Sequence, residues 1–169
     1  RHDQSLMAVS GEFNEIWLPR IDGPADAEQP TSRLSYGAWV AETAFSPNGL
    51  LLAAAGYRNQ VVIWELKTRS RVQTLRHGGP VLSLSFGVTG SRIASGGRDG
   101  ILRIHQVKTG LCVRETHMHA GELRSIAFSP RGECIAMGCA KPDESNRLPS
   151  PGGRLTSPGG PLSSGGSQR

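Results

Sequence analysis

The stretch Val81–His105, VLSLSFGVTGSRIASGGRDGILRIH, predicts three short β-strands joined by two tight turns. Its first segment, Val81–Phe86, alternates side-chain types with the period of two that is typical of a strand. Gly90 and the segment Arg98–Gly100 supply turn residues on either side of a second strand, which is built from small residues. A meander of three strands cannot bury both of its faces by itself, so it requires neighbouring sheets.

The same pattern occurs on both sides of this stretch at a nearly constant spacing. Phe45, Phe86 and Phe128 are separated by 41 and 42 residues, and a glycine follows each of them four positions later. In the turn Ser46–Gly49, proline presets φ, and Asn48 and the glycine are expected at positive φ. A repeat of about 40–45 residues with four strands per unit is the period of a propeller blade.

The repeat divides the chain into five parts. These are a partial leading blade with an acidic loop (1–39), two full blades (40–80 and 81–122), a truncated blade (123–140) and a Pro/Gly/Ser-rich tail (141–169). The tail lacks apolar periodicity and is expected to be disordered. Since propellers close with about 4–8 blades, we expect an all-β, open arc of three to four blades that requires further blades from a longer chain or a partner. The chain also begins with Arg1 rather than Met, as expected for a fragment or a processed product.

The charges are distributed unevenly along the chain, whose formal net charge is +5. Residues 1–32 carry six acidic and two basic side chains, whereas residues 33–143 carry fourteen basic and seven acidic ones. The basic middle suits an acidic partner, and a solvated surface of mixed charge is the alternative explanation. No run of about 18 apolar residues could span a membrane.

Three cysteines form an odd and sparse set, which suits reduced thiols and therefore a cytoplasmic or nuclear protein. A zinc site is an alternative for two of them, with two upstream histidines. No Cys-x-x-Cys pair supports it, so we expect neither a metal nor a cofactor. The residues concerned are Cys134, Cys139, His117 and His119.

Several segments resemble the WD-repeat β-propeller family. Phe45–Gly49 and Phe128–Gly132 resemble the turn between the first and second strands of its blades, and Ile93–Gly100 resembles the second strand with the following turn. Val61–Glu65 resembles the closing Trp-Asp segment, with Glu in place of Asp. The resemblance covers roughly residues 4–140 and implies a fragment of a larger propeller, whose individual function stays open.

The resemblance also implies a structural hydrogen-bond network of His, Ser or Thr, Asp and Trp in each blade. No blade holds the complete set. The residues at these positions are His77, Ser95, Asp99 and His105 in the central blade, and Tyr36, Arg58, Trp64 and His119 in its neighbours. A Ser, a His and an Asp also make up a nucleophilic triad. No nucleophile elbow, paired carboxylates or metal-ligand cluster supports chemistry, so we expect a structural role and no enzyme.

Because blades pack face to face, their loops form the free surface and carry function. In the family, the loop entering the first strand and the turn between the second and third strands share one rim. On this rim the resemblance places Tyr36, Trp39, Tyr57, Arg58, Asn59, His77, Arg98, Met118 and His119.

Aromatic and arginine side chains are enriched in binding hot spots. The resemblance therefore implies a non-catalytic scaffold that assembles a multiprotein complex through this rim, where acidic or phosphorylated peptides would suit Arg58 and Arg98. The alternative is a basic surface that binds an acidic polymer, such as nucleic acid, acidic tubulin tails or a phosphorylated ligand. Nucleic acid is the partner that we expect least.

Overall fold

The computed structural model describes residues 8–10, 14–19 and 32–141. Its regular elements are β1 (Glu15–Leu18), β2 (Ser32–Ser35), β3 (Val40–Phe45), β4 (Leu51–Gly56), β5 (Gln60–Glu65), β6 (Arg71–Arg76), β7 (Val81–Phe86), β8 (Arg92–Gly97), β9 (Ile101–Gln106), β10 (Cys112–His117), β11 (Glu122–Phe128) and β12 (Ile135–Ala140). In these ranges no helix is long and apolar enough to cross a membrane. The expected acidic loop, at 21–30 within the leading blade, and the tail from 142 onward lie outside the described residues.

The strands form four antiparallel sheets in which consecutive strands are neighbours. Two are complete meanders, β3-β4-β5-β6 and β7-β8-β9-β10, and two-stranded sheets, β1-β2 and β11-β12, flank them. A separate apolar cluster fills each of the three interfaces between neighbouring sheets. The all-β fold and the partial, open propeller are therefore confirmed.

Strand β4 shows why its sequence is apolar without alternation. Leu52 and Ala54 belong to the cluster facing the β1-β2 sheet, whereas Ala53 and Ala55 belong to the cluster facing the β7–β10 sheet. Successive side chains of a strand point to opposite faces, and here both faces are covered. All four side chains are fully buried as a result.

Each of the first strands β3, β7 and β11 begins with a register shift at the same place in the repeat. The shifts lie between Val40 and Glu42, Val81 and Ser83, and Leu123 and Ser125.

The partner glycines of the first two shifts are required by a close approach of the backbone. A Cβ atom on Gly97 would lie 2.0 Å from the carbonyl oxygen of Pro80, and one on Gly56 would lie 2.1 Å from that of Trp39. Glycine alone has no side-chain atom at this point.

The bulged strands also connect neighbouring sheets through hydrogen bonds. The Glu42 carboxylate accepts the backbone N–H of Leu84 at 2.6 Å, and the Ser83 hydroxyl, 41 positions later, accepts that of Ile126 at 2.9 Å. These bonds satisfy buried backbone donors that would otherwise destabilise the interfaces.

The glycine that follows each recurring Phe adopts a positive φ, as the sequence predicts for Gly49. Gly49, Gly90 and Gly132 have φ values of 68°, 71° and 74°. The same expectation for Asn48 is wrong, because this residue is not at positive φ. Its side-chain oxygen instead accepts a hydrogen bond from the backbone N–H of Leu50 at 3.1 Å, and this bond stabilises the turn.

The antiparallel order gives the array two ends. The lower end carries the β3–β4, β5–β6, β7–β8, β9–β10 and β11–β12 turns. The upper end carries the β4–β5 and β8–β9 turns and the connections that enter β3, β7 and β11.

Candidate functional site

Three exposed side chains from two sheets form a continuous ridge on the upper end. The rings of Trp39 and Tyr57 are stacked, with centroids 5.0 Å apart and planes inclined by 9°. The Arg98 guanidinium lies over the Tyr57 ring, with its central carbon 5.4 Å from the ring centroid. Trp39 is 48% exposed and Tyr57 37%. We call these three residues the aromatic ridge.

Backbone contacts hold the ridge in place. The N–H of Tyr57 donates to the carbonyl of Trp39 at 3.0 Å, and the N–H of Arg98 donates to the carbonyl of Pro80 at 3.0 Å. Both turns are therefore tied to the connections that enter the first strands, and the ridge is preorganised for binding.

A shallow cleft next to the ridge holds an excess of positive charge. Glu122 lies 3.6 Å from the Arg98 side chain and 3.2 Å from that of Arg124, so two guanidinium groups share one carboxylate. With Tyr57 and Leu82 these residues enclose about 230 Å³. This is below the roughly 300–1,000 Å³ of small-molecule sites, and it suits a single side chain of a protein partner.

Tyr36 does not belong to an exposed rim, and the expectation for this residue is corrected. It is fully buried, and its hydroxyl donates to the carbonyl of Gln60 at 2.7 Å. Burial raises its pKa to about 12, against the opposing effect of Arg58. His77, 41 positions later, is partly buried at the matching position of the central sheet, and the Tyr36 ring is buried completely.

The other predicted rim residues mainly organise the loops. Arg58 donates to the carbonyl of Tyr36 at 2.9 Å. Asn59 adopts a φ of 56°, and its carbonyl accepts the N–H of His77 at 2.9 Å. Met118 is half-buried against the apolar cluster between the last two sheets. Of the predicted rim, the structure brings Trp39, Tyr57 and Arg98 together.

A second polar group lies inside the central sheet, close to the upper end. The Nε2 atom of His77 is 2.9 Å from the hydroxyl of Ser95, and its Nδ1 atom is 3.3 Å from the carbonyl of Leu75. A carbonyl can only accept, so Nδ1 carries the proton and Nε2 accepts from Ser95. Burial, aided by the charge of Arg103, lowers the pKa of His77 to about 4, and the ring is neutral at pH 7.

The carboxylate of Asp99 does not complete a nucleophilic triad. It accepts from Arg103 at 2.5 Å and from the N–H of Gly78 at 3.2 Å, while the Nδ1 atom of His77 faces a carbonyl. The Ser95 side chain is fully buried and inaccessible to a substrate. A triad needs the carboxylate on the histidine and an accessible hydroxyl, so the geometry favours structural roles.

The sequence reasoning missed Arg103, which is only 9% exposed. Its guanidinium lies between the carboxylates of Asp99 and Glu115, and its Nε atom is 3.3 Å from the Glu115 carboxylate. In the preceding sheet the matching position, 41 residues earlier, is Val62. A charged residue where the repeat otherwise places an apolar one was the signal that could have revealed this ion pair.

His105 occupies the position of the missing Trp and is 4% exposed. Its ring centroid lies 5.9 Å from that of His77. Its Nδ1 atom is buried and has no hydrogen-bond partner among the described residues. Burial lowers the pKa of His105, and the positive charge of Arg103 lowers it further.

Trp64 and His119 were also expected in structural networks. Trp64 is buried in the cluster that faces the β1-β2 sheet. Ala54 takes the place of the network serine there, so packing replaces the hydrogen bond. His119 is exposed, which contradicts a place in a buried network, and Met137 stands at its serine position.

The three cysteines are exposed free thiols. Across the ranges that the structure describes, no group of three or more His, Cys, Asp and Glu side chains is arranged to hold a metal ion.

The stability of the chain is expected to decrease as the pH falls from about 6.5 to about 4, because the folded state holds His77 neutral. In this window the unfolded state binds more protons than the folded state, so acid favours unfolding. Above the window, the neutral His77 makes its full contribution to the free energy of unfolding. The upper limit for this histidine is about 3 kcal/mol. Urea unfolding at several pH values, followed by circular dichroism, measures the slope.

The matched variants are His77→Gln, which removes the titrating ring, and His119→Gln, which removes an exposed one. The first should reduce the slope without abolishing it, because burial also lowers the pKa of His105, and the second is the control for replacing a histidine at the surface. Equal slopes for the parent and the His77→Gln variant would show that the depressed pKa does not govern acid stability.

Comparison with known proteins agrees with this geometry. The model of the family described as "WD domain, G-beta repeat" matches residues 31–65 and 69–106. WD repeat-containing protein 91 homolog of Dictyostelium discoideum is 32% identical over 96 residues, or 53% of the chain. Ribosome biogenesis protein BOP1 homolog of Oryza sativa subsp. japonica is 44% identical over 54 residues, or 32% of the chain. U3 snoRNP-associated protein-like EMB2271 of Arabidopsis thaliana is 30% identical over 137 residues, or 80%.

The chain spans only a small part of these relatives, namely 12%, 8% and 26% of their respective lengths. Each matched repeat covers the last strand of one sheet and the first three strands of the next, namely β2–β5 and β6–β9. The sequence repeat, the antiparallel meanders and these matches agree, and the chain belongs to the WD-repeat family.

Proposed function

We propose that this chain is part of a non-catalytic scaffold that binds a protein partner through the aromatic ridge. The observation that carries the proposal is the exposed stack of Trp39 and Tyr57 with Arg98 over it. Trp, Tyr and Arg are the residues that dominate binding energy in protein interfaces. A preorganised stack loses little conformational entropy when it is covered.

An acidic or phosphorylated peptide is the ligand that suits the cleft beside the ridge. A phosphate or carboxylate of the ligand would compete with Glu122 for Arg98, and Arg124 would still neutralise Glu122. Pairs of this kind between guanidinium and an anion are among the stronger hydrogen-bonded contacts in proteins. The flat face of Trp39 remains for an apolar neighbour in the peptide.

The names of two relatives support a nuclear location over a cytoplasmic one. One is a ribosome biogenesis protein homolog, and another is associated with the U3 snoRNP. A scaffold within a multiprotein assembly of this kind is consistent with the exposed ridge. We infer that the complete protein works in such an assembly.

An array of acidic and phosphorylated peptides, probed with the full chain, tests the proposal. We expect a defined subset to bind, and the Trp39→Ala and Arg98→Ala variants to bind it on the order of tenfold more weakly. Trp17→Ala is the matched control, because this exposed Trp also lies under an arginine, with the Arg33 guanidinium 4.6 Å from its ring.

Two results would count against the ridge. An equal loss of peptide affinity in the Trp17→Ala variant would show that binding does not depend on the ridge in particular. Binding that falls steeply with salt and ignores peptide sequence would instead support the alternative, a basic surface for acidic polymers.

A further inference from the structure

The lower end forms a second continuous surface across three sheets. A Cβ atom on Gly90 would lie 3.5 Å from the Pro47 ring, and one on Gly132 would lie 3.4 Å from the Val88 side chain. The β3–β4, β7–β8 and β11–β12 turns therefore lie side by side. This surface is on the opposite end of the array from the aromatic ridge.

Basic side chains dominate this surface. Five of them are exposed, and in the described part of the chain none of the five forms an ion pair. They are Lys67, Arg69, Arg92, Lys108 and Arg131. The acidic side chains of the same turns are Glu65, which accepts from the Thr68 hydroxyl at 2.6 Å, and Glu133. The net charge of this end is therefore positive, and its cations are available to a ligand.

Aliphatic side chains are exposed among these cations. Leu111 is 63% exposed and Leu50 60%, which makes them the most exposed large hydrophobic residues in the described ranges. Val88, in the β7–β8 turn, is 47% exposed. Single exposed apolar residues are ordinary, but three in adjoining turns of one cationic surface point to a partner that covers them.

We propose that the lower end binds a second partner, an acidic protein segment that carries aliphatic side chains. Carboxylates of the segment pair with the free lysines and arginines, and its aliphatic side chains pack on Leu50, Val88 and Leu111. Single-stranded nucleic acid is the less suitable ligand, because its bases are bound by stacking on aromatic rings. The proposal goes beyond the peptide site on the upper end and allows the scaffold to hold two partners at once.

Fluorescence anisotropy with the full chain tests this assignment. The probes are a labelled peptide of repeating Glu-Glu-Leu, the same peptide with Ser in place of Leu, and single-stranded RNA of equal length. We expect the Leu-containing peptide to bind most tightly. The triple variant Arg69→Glu/Lys108→Glu/Arg131→Glu should weaken its binding by at least about tenfold, and Leu50→Ser/Leu111→Ser by about fivefold.

One control separates the lower end from the rest of the molecule. Arg76→Glu changes an exposed arginine near the upper end by the same charge and should leave the affinity within about twofold of the parent. If the triple variant does not fold by circular dichroism, Lys67→Glu/Arg92→Glu provides a second test of the same surface.

Three outcomes would overturn the proposal. The RNA could bind more tightly than the Leu-containing peptide, the Ser-containing peptide could bind equally well, or the charge-reversed variants could retain the parent affinity. If the charge-reversed variants retain the parent affinity and Trp39→Ala loses it, the acidic probe binds the aromatic ridge, so failure here is distinguishable from failure of the peptide site on the ridge.

Discussion

Replacing Gly97 by Ala is expected to unfold the chain. The added Cβ atom would lie 2.0 Å from the carbonyl oxygen of Pro80 and 2.8 Å from the Cα atom of Val81. Both are backbone atoms, so no side-chain rotation relieves the overlap, and the pairing of β7 with β8 must open. We expect a loss of more than about 3 kcal/mol, which is a large share of the roughly 5–15 kcal/mol that stabilises a domain. Thermal and urea unfolding followed by circular dichroism measure it.

Gly87→Ala is the matched control. Gly87 directly follows β7 and is not at positive φ, and its added Cβ atom would meet its nearest neighbour, the carbonyl oxygen of Arg92, at 3.5 Å. This is ordinary van der Waals distance, so the variant should lie within about 1 kcal/mol of the parent. Equal stability of the two variants would mean that the close approach at Gly97 does not constrain the sheet.

Removing the carboxylate with Asp99→Ala is expected to cost about 3–5 kcal/mol. The Arg103 guanidinium, whose side chain is 11% exposed, would lose its closest anion, and the backbone N–H of Gly78 would lose its acceptor. Arg103 would keep only the more exposed Glu115 as a partner, and a buried charge that has lost its closest anion destabilises more than the intact pair stabilises. Urea unfolding of the full chain gives the difference in free energy.

A double variant distinguishes an unpaired charge from a general loss of structure. Val62 takes the place of Arg103 in the preceding sheet, so Arg103→Val is a substitution that the repeat already accommodates. Asp99→Ala/Arg103→Val should recover at least about half of the loss, with a coupling energy of about 1–3 kcal/mol. If the changes in unfolding free energy of the two single variants simply add in the double variant, the interpretation that Asp99 is needed because of Arg103 is wrong.

The strands of the two complete sheets could be predicted from the sequence, because each is bounded by turn residues that recur in phase. The glycines at 49, 90 and 132 need positive φ, and the strands that follow the first two of them, β4 and β8, are built from small and apolar residues that are buried on both faces. Both requirements are local, so the sequence displays them directly. Asn48 was placed wrongly because Asn can close a turn either through its own φ or through its side chain, and the residue type does not distinguish the two.

The candidate site could be predicted in part. Trp39, Tyr57 and Arg98 were expected on one rim, and the structure adds that they stack on one another. Tyr36 was expected beside them and is buried, because aromatic rings suit both a surface and an interior. Arg103 was missed because its partners come from a turn and from the adjacent strand β10, and only the folded sheet brings all three charges together.

The sequence by itself determined the repeat, the strand order and the turn glycines, since these depend on residues that are neighbours along the chain or recur at a fixed spacing. Only the tertiary structure explains why both position 96 and position 97 require glycine. A Cβ atom on Gly97 would strike the backbone of its own sheet, whereas one on Gly96 would lie 2.5 Å from Leu123 of the next sheet. Contacts between sheets join residues that are more than twenty positions apart in the sequence. No local sequence pattern shows how closely such residues approach each other.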